Sequence, residues 1–157
     1  MRNLIVVCSV FCALTFSAVA SNFNYATGFA AVNEMSSKAL INAMERINDR
    51  IYAVGEHGII LYSDDLGDNW TQSESVPFTN TLTDIDCISK EECWATGHDA
   101  TILHTNDSGK TWIKQYEDID FDAPLLSIHM FDNGEGIAIG AFALSLRTTD
   151  GGNSWGY

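Results

Sequence analysis

Three short runs in this 157-residue chain place a hydroxyl, a carboxylate, a glycine and an indole at fixed intervals: Ser63, Asp65, Gly67 and Trp70; Thr105, Asp107, Gly109 and Trp112; Thr148, Asp150, Gly152 and Trp155. Aspartates repeated at one spacing invite two chemical readings, calcium ligation and carboxylate catalysis. The spacing is already accounted for by conformation. A hydroxyl and a carboxylate two residues apart can bond the backbone of their own turn, and glycine enters the positive-φ region without a Cβ clash. The tryptophan then supplies a large apolar ring with one N–H donor for packing beneath the turn. Asp65, Asp107 and Asp150 are therefore read as turn-formers, and no catalytic, cofactor-binding or metal-ligating residue is assigned.

Four other side chains fall at matching places: Glu56 and His57 follow Gly55, and His98 and Asp99 follow Gly97. Adjacent turns on one face would make a shallow polar binding site or a weak metal site. The plainer reading, which we prefer, is a pair of solvated hairpin tips, since the third run carries Ala141 and Phe142 there. His104 and Arg147 share a repeat position and are expected to be exposed or to lie between repeats. Asp118, Asp120 and Asp122 alternate with Ile119 and Phe121 as a solvated acidic connection rather than a catalytic carboxylate pair.

These residues need a scaffold, and the chain repeats to supply one. Tyr52 to Trp70, Trp94 to Trp112 and Ile137 to Trp155 align without gaps, 42 and then 43 residues apart, with Gly55, Gly97 and Gly140 in register, as are Leu61, Leu103 and Leu146. Each unit reads as four short strands. Leu40 to Ile47, Leu82 to Ile88 and Leu125 to Phe131 supply the first; the runs from Tyr52, Trp94 and Ile137 supply the next two; Trp70 to Gln72 and Trp112 to Tyr116 supply the fourth. Four strands in about 42 residues is the unit of a propeller blade. The fold class is therefore all-β, with about three four-stranded antiparallel β-propeller blades at about 39–78, 79–122 and 123–157 in an incomplete ring. A segment at 21–38 precedes them. Asn33 to Arg46 also partly fits a helical period, which stands as a minor alternative.

Residues 1–20 read as a signal peptide: Arg2, an apolar run from Leu4 to Phe16, and Ala18-Val19-Ala20 before Ser21. The run is about 13 residues against the roughly 20 that span a bilayer, so cleavage after Ala20 is expected and no stable membrane span remains. The mature chain is then periplasmic or secreted and keeps two cysteines, Cys87 and Cys93. They flank a predicted turn at 88–92, and a cross-strand disulfide in an oxidising compartment is the preferred reading. With 21 acidic against 8 basic residues and a net charge of −13, a basic footprint for nucleic acid is absent.

The run Gly-x-x-Gly/Ala-x-Ile-Leu-x-Ser/Thr-x-Asp-x-Gly-x-x-Trp, as at Gly55 to Trp70, contains the Asp-box, or BNR repeat, and resembles the photosystem II stability/assembly factor family of propellers from about Leu40 onward. The resemblance implies a seven-bladed fold, an assembly role without catalysis, no cofactor, and a protein partner. Asp-boxes also occur in sialidases and sortilin-type receptors, so the box alone speaks for fold. The third repeat stops just past Trp155, from which a truncated reading frame is expected, with two open apolar end faces that self-associate. The alternatives are a fragment of a sialidase-like glycoside hydrolase, which would need an arginine cluster that Arg46, Arg50 and Arg147 do not suggest by spacing, or a nonfunctional remnant.

Overall fold

The computed structural model describes residues 28–32 and 36–157; the expected signal peptide lies outside them. Eleven strands follow in order: β1 Ile41–Ile47, β2 Arg50–Gly55, β3 Ile60–Ser63, β4 Thr71–Gln72, β5 Leu82–Cys87, β6 Cys93–Gly97, β7 Ile102–Thr105, β8 Ile113–Tyr116, β9 Leu125–Met130, β10 Gly136–Gly140 and β11 Ser145–Thr148. They form three antiparallel meanders, β1 to β4, β5 to β8 and β9 to β11. The third sheet has three strands, and Gly156 bridges Arg147 at the place where a fourth would lie. Of the segment that also fitted a helical period, 41–47 is strand, alternating between half-buried and exposed residues, the period-2 pattern of a sheet with one packed face.

The sheets stack because each strand sorts its side chains by alternation. Tyr52, Val54 and Ile60 leave one face of the first sheet and meet Leu82, Ile85, Cys87, Ala95 and Leu103 of the second. The same positions one repeat on do the same job. Trp94 and Ile102 leave the second sheet and meet Leu125, Ile128, Met130, Ala138 and Leu146 of the third. Tyr52 and Trp94 are thereby almost wholly buried, each removing a large ring from water at about 25 cal/mol per Å² of apolar surface.

Polar bolts fix the register between sheets. Asn42 Nδ2 donates to the Leu82 carbonyl at 2.7 Å, and Thr83 Oγ1, its equivalent, donates to the Leu125 carbonyl at 2.6 Å. Asp84 and Asp86 accept the backbone N–H groups of Ile128 and Met130 at 3.0 and 2.6 Å. Strands β1, β5 and β9 consequently lie side by side as one wall.

The two end faces differ. On the first sheet's outer face Ala53, Ile59 and Leu61 are buried, with Ala39, Ile41 and Trp70 packed against them, so that end is largely covered rather than open as expected, although Met44 stays well exposed. The third sheet's outer face exposes Leu126, Phe131 and Ile139.

Candidate protein-interaction surface

The three hydroxyl–carboxylate runs fold into superimposable turns at one end of the stack. Ser63 Oγ donates to Asp65 Oδ1 at 2.8 Å and accepts from the Gly67 N–H at 2.8 Å, while Asp65 Oδ1 accepts from the Asn69 N–H at 2.8 Å. Thr105, Asp107, Gly109 and Thr111 repeat this at 2.9, 3.1 and 2.9 Å, and Thr148, Asp150, Gly152 and Ser154 at 2.8, 2.9 and 2.9 Å. Bonds from Asn69 hold the Asp65 carboxyl below its ordinary range, and bonds from Ser154 do so for Asp150. Burial opposes the same effect at Asp107, and the bonds from Thr111 outweigh it. Carboxylates committed this way have few lone pairs left for a substrate or ion. Among the described residues no group of three His, Cys, Asp or Glu side chains is placed to hold a metal.

Between these turns, on the same end, Arg50 is buried and donates to Asp64 through Nε at 2.9 Å and Nη2 at 2.6 Å. It also donates to the Ser108 carbonyl in the second sheet's turn. Lys90 reaches Asp64 at 3.0 Å, and the Tyr52 hydroxyl donates to the Lys90 carbonyl at 2.7 Å. The bonds from Arg50, then Lys90, hold the Asp64 carboxyl down at about 2. Lys90 stands in the hairpin that Cys87 and Cys93 close, their sulfurs 2.06 Å apart at directly paired positions. His104, far from exposed, is buried against Trp94 with its Nε2 3.2 Å from Glu92. Arg147 lies on the third sheet's exposed face.

The opposite end carries the tips. Each is a tight loop after a glycine: Gly55 N–H donates to the Ile59 carbonyl at 3.1 Å, Gly97 to Thr101 at 3.1 Å and Gly140 to Leu144 at 2.9 Å. Glycine is required there because a Cβ would overlap the carbonyl oxygens of Leu40, Thr81 and Pro124, where the first strand of each sheet begins. The third residue of each tip, His57, Asp99 and Phe142, sits at φ of 57°, 57° and 55°, a left-handed backbone that costs an ordinary residue about 1–2 kcal/mol. Connecting segments tie the tips together: Gly58 N–H donates to the Asn80 carbonyl, Asn80 Nδ2 to Asp99 at 3.2 Å, and Asp118 N–H to the Asp99 carbonyl. Glu56 and His57 approach to 3.9 Å, whereas His98 is exposed beside Asp99. Tips and connections make one continuous surface, from which Phe142 projects 81% exposed.

The inner wall adds a feature that motif reasoning missed. Asp84 and Asp86 stand there with Glu45, whose carboxyl is pushed up by burial and then by the charges of Asp86 and Asp84. His129 Nδ1 lies 3.4 Å from Asp86. The acid–apolar–acid alternation of Asp84-Ile85-Asp86 was the available signal. The three arginines weighed for a sialic-acid site do not converge: Arg50 is engaged by Asp64, Arg46 Nε donates to the Asn48 carbonyl of its own hairpin, and Arg147 is two sheets away.

Set against known proteins, residues 72–157 match the family described as photosynthesis system II assembly factor YCF48. A solved YCF48 bound to a D1 peptide superposes with a TM-score of 0.64 at 24% identity, covering 75% of this chain and 40% of that one. YCF48 from Cyanidioschyzon merolae superposes with a TM-score of 0.62 at 17% identity, covering 75% and 36%. Both likenesses establish the propeller-type fold. The chain spans about two fifths of the length of these structures. A search of curated proteins finds no match.

Proposed function

This chain belongs to the photosynthesis system II assembly factor YCF48 family, and from that premise we propose that it is an exported, non-catalytic scaffold that binds a segment of another protein. The observation that carries the proposal is the family match over 72–157; that a relative has been solved with a D1 peptide bound gives the kind of ligand. The binding surface is the tip end. His57, Asp99 and Phe142 are held there in left-handed backbone at a conformational cost that the packing elsewhere sustains, a pattern associated with functional sites. The polar tips, Glu56 and His57 with His98 and Asp99, offer hydrogen bonds, and Phe142 offers an aromatic anchor.

Export rests on residues 1–20 as a cleaved leader and on the Cys87–Cys93 bond, which suits an oxidising compartment. Mass spectrometry of the protein recovered from cells expressing the full reading frame tests it: a mature N-terminus at Ser21 with two fewer hydrogens than the dithiol supports export, and an uncleaved cytoplasmic chain with Cys87 and Cys93 as free thiols counts against it. Hydrogen exchange with and without a D1 peptide tests the surface. Protection gathered at 56–58, 98–100 and 141–143 supports the tip end, and protection at the Asp65 and Asp107 turns places the ligand elsewhere.

A further inference from the structure

The hairpin between β5 and β6 differs from its two counterparts. In the first sheet the corresponding turn carries Asn48 at φ 56°, and in the third Gly134 at φ 83°, residue types that take left-handed backbone most readily and so set a tight hairpin's register. None of Ile88, Ser89, Lys90, Glu91 and Glu92 is a glycine or has a positive φ. Ser89 Oγ accepts the N–H groups of Glu91 and Glu92 at 3.2 and 3.1 Å. Below that turn the Cys87–Cys93 bond joins two directly paired residues, where the other sheets pair Arg46 with Ile51 and Met130 with Gly136. The covalent link stands where the turn lacks a register-setting residue of its own.

The same hairpin also builds the polar joint between the first two sheets. The Lys90 carbonyl accepts from the Tyr52 hydroxyl at 2.7 Å, and Lys90 Nζ lies 3.0 Å from Asp64 and 3.8 Å from Asp49. The Glu91 carbonyl accepts from the Ser108 N–H at 3.1 Å, and the Ser108 carbonyl in turn takes Arg50 of the first sheet. We propose that the Cys87–Cys93 bond is a redox switch of this joint. Oxidised, it holds the 88–92 turn in the register that delivers Lys90 and Glu91 to their partners; reduced, it lets the turn loosen and the joint open while the three sheets stay folded. A dithiol supplies the two electrons. One of its thiolates attacks the sulfur of Cys87, the less buried half at 9% exposed against 0% for Cys93; the sulfur–sulfur bond breaks, and Cys93 leaves as a thiolate that takes a proton. The reductant's second thiolate closes on its own first sulfur and displaces Cys87, which takes the other proton, so that the reductant ends as a disulfide. The joint lies at the opposite end from the tips and does not depend on the partner segment proposed there.

Hydrogen exchange of the full chain before and after dithiothreitol, with alkylation to count free thiols and circular dichroism to verify folding, tests the proposal. Amides at 88–92 and at Ser108 should exchange at least tenfold faster in the reduced chain. The Gly67 and Gly152 amides, each held by the hydroxyl of its own turn, should keep their rates, and reoxidation should restore the first set. Cys87→Ser with Cys93→Ser should show the reduced pattern with or without dithiothreitol. Tyr52→Phe, which deletes the bond to the Lys90 carbonyl, should shrink the difference between the two redox states at Ser108. Unchanged exchange at Ser108 after reduction would overturn the switch. So would a loss of protection spread equally over all three turns, or a bond that dithiothreitol reaches only when the whole chain unfolds.

Discussion

Arg50 and Asp64 form a two-bond ion pair across β2 and the turn after β3, and the same guanidinium reaches the Ser108 carbonyl of the neighbouring sheet. One buried cation therefore holds a turn and a sheet–sheet joint together. Because the folded Asp64 carboxyl is held at about 2, below its unfolded value, its stabilisation is fully present above about pH 4 and is lost as pH falls through about 2. Asp64 is half exposed, so solvent screening limits its worth to about 1 kcal/mol. Asp64→Asn should lower the melting temperature at pH 7 and flatten the acid limb of stability between pH 4 and 2; an unchanged limb would show that other carboxylates govern it.

Glu45 runs the other way. Its folded carboxyl is raised by burial and by Asp86 and Asp84, so ionising it disfavours the folded state, and protonation relieves that. Glu45→Gln should raise the melting temperature at pH 7, with the gain fading as the wild type is acidified through the raised carboxyl range. A loss at neutral pH would mean that the carboxylate is used by an inward bond.

The turn hydroxyls each accept a glycine N–H and donate to the aspartate. Thr105→Ala should cost about 1–2 kcal/mol in urea unfolding, since it strands a buried N–H as well as losing a bond; Thr105→Ser should restore most of it.

Two glycines separate conformation from crowding. Gly151 is at φ 69° with open space around its Cβ site, whereas at Gly109, φ 76°, a Cβ would stand 2.5 Å from Tyr52 Cε1. Alanine should cost about 1 kcal/mol at the first and about 2–4 kcal/mol at the second, where overpacking is added. Equal losses would show that Tyr52 moves aside freely.

Much of this was legible because the repeat forces it. Gly55, Gly97 and Gly140 align, and the close approach of Leu40, Thr81 and Pro124 explains why no side chain is tolerated there. The strand starts at Leu82 and Leu125 and the hairpin joining Cys87 to Cys93 followed from alternation and turn residues. What escaped lies between repeats. Arg50 has no arginine at the matching positions, which hold Glu92 and Glu135, so its bridge to Asp64 and Ser108 is invisible to alignment. His104 was ambiguous for a similar reason: only the stacked geometry sets its ring on Trp94 and beside Glu92. The acidic wall of Glu45, Asp84 and Asp86 needs the first strands of two sheets, β1 and β5, brought side by side, a relationship that no single strand pattern contains. The covered outer face of the first sheet depends on how Ala39, Ile41 and Trp70 return across it.

The binding proposal is tested most directly by titrating a fluorescent D1 peptide with wild type and with Phe142→Gly. Glycine relaxes a left-handed backbone that phenylalanine strains, so this variant should melt higher, by about 0.5–1 kcal/mol, and yet bind at least fivefold more weakly because the exposed ring is gone. Saturable wild-type binding with that opposed pair of changes is the predicted result. A folded wild type that binds no peptide, or a variant that binds as well as the parent, contradicts a protein-binding surface at the tip end.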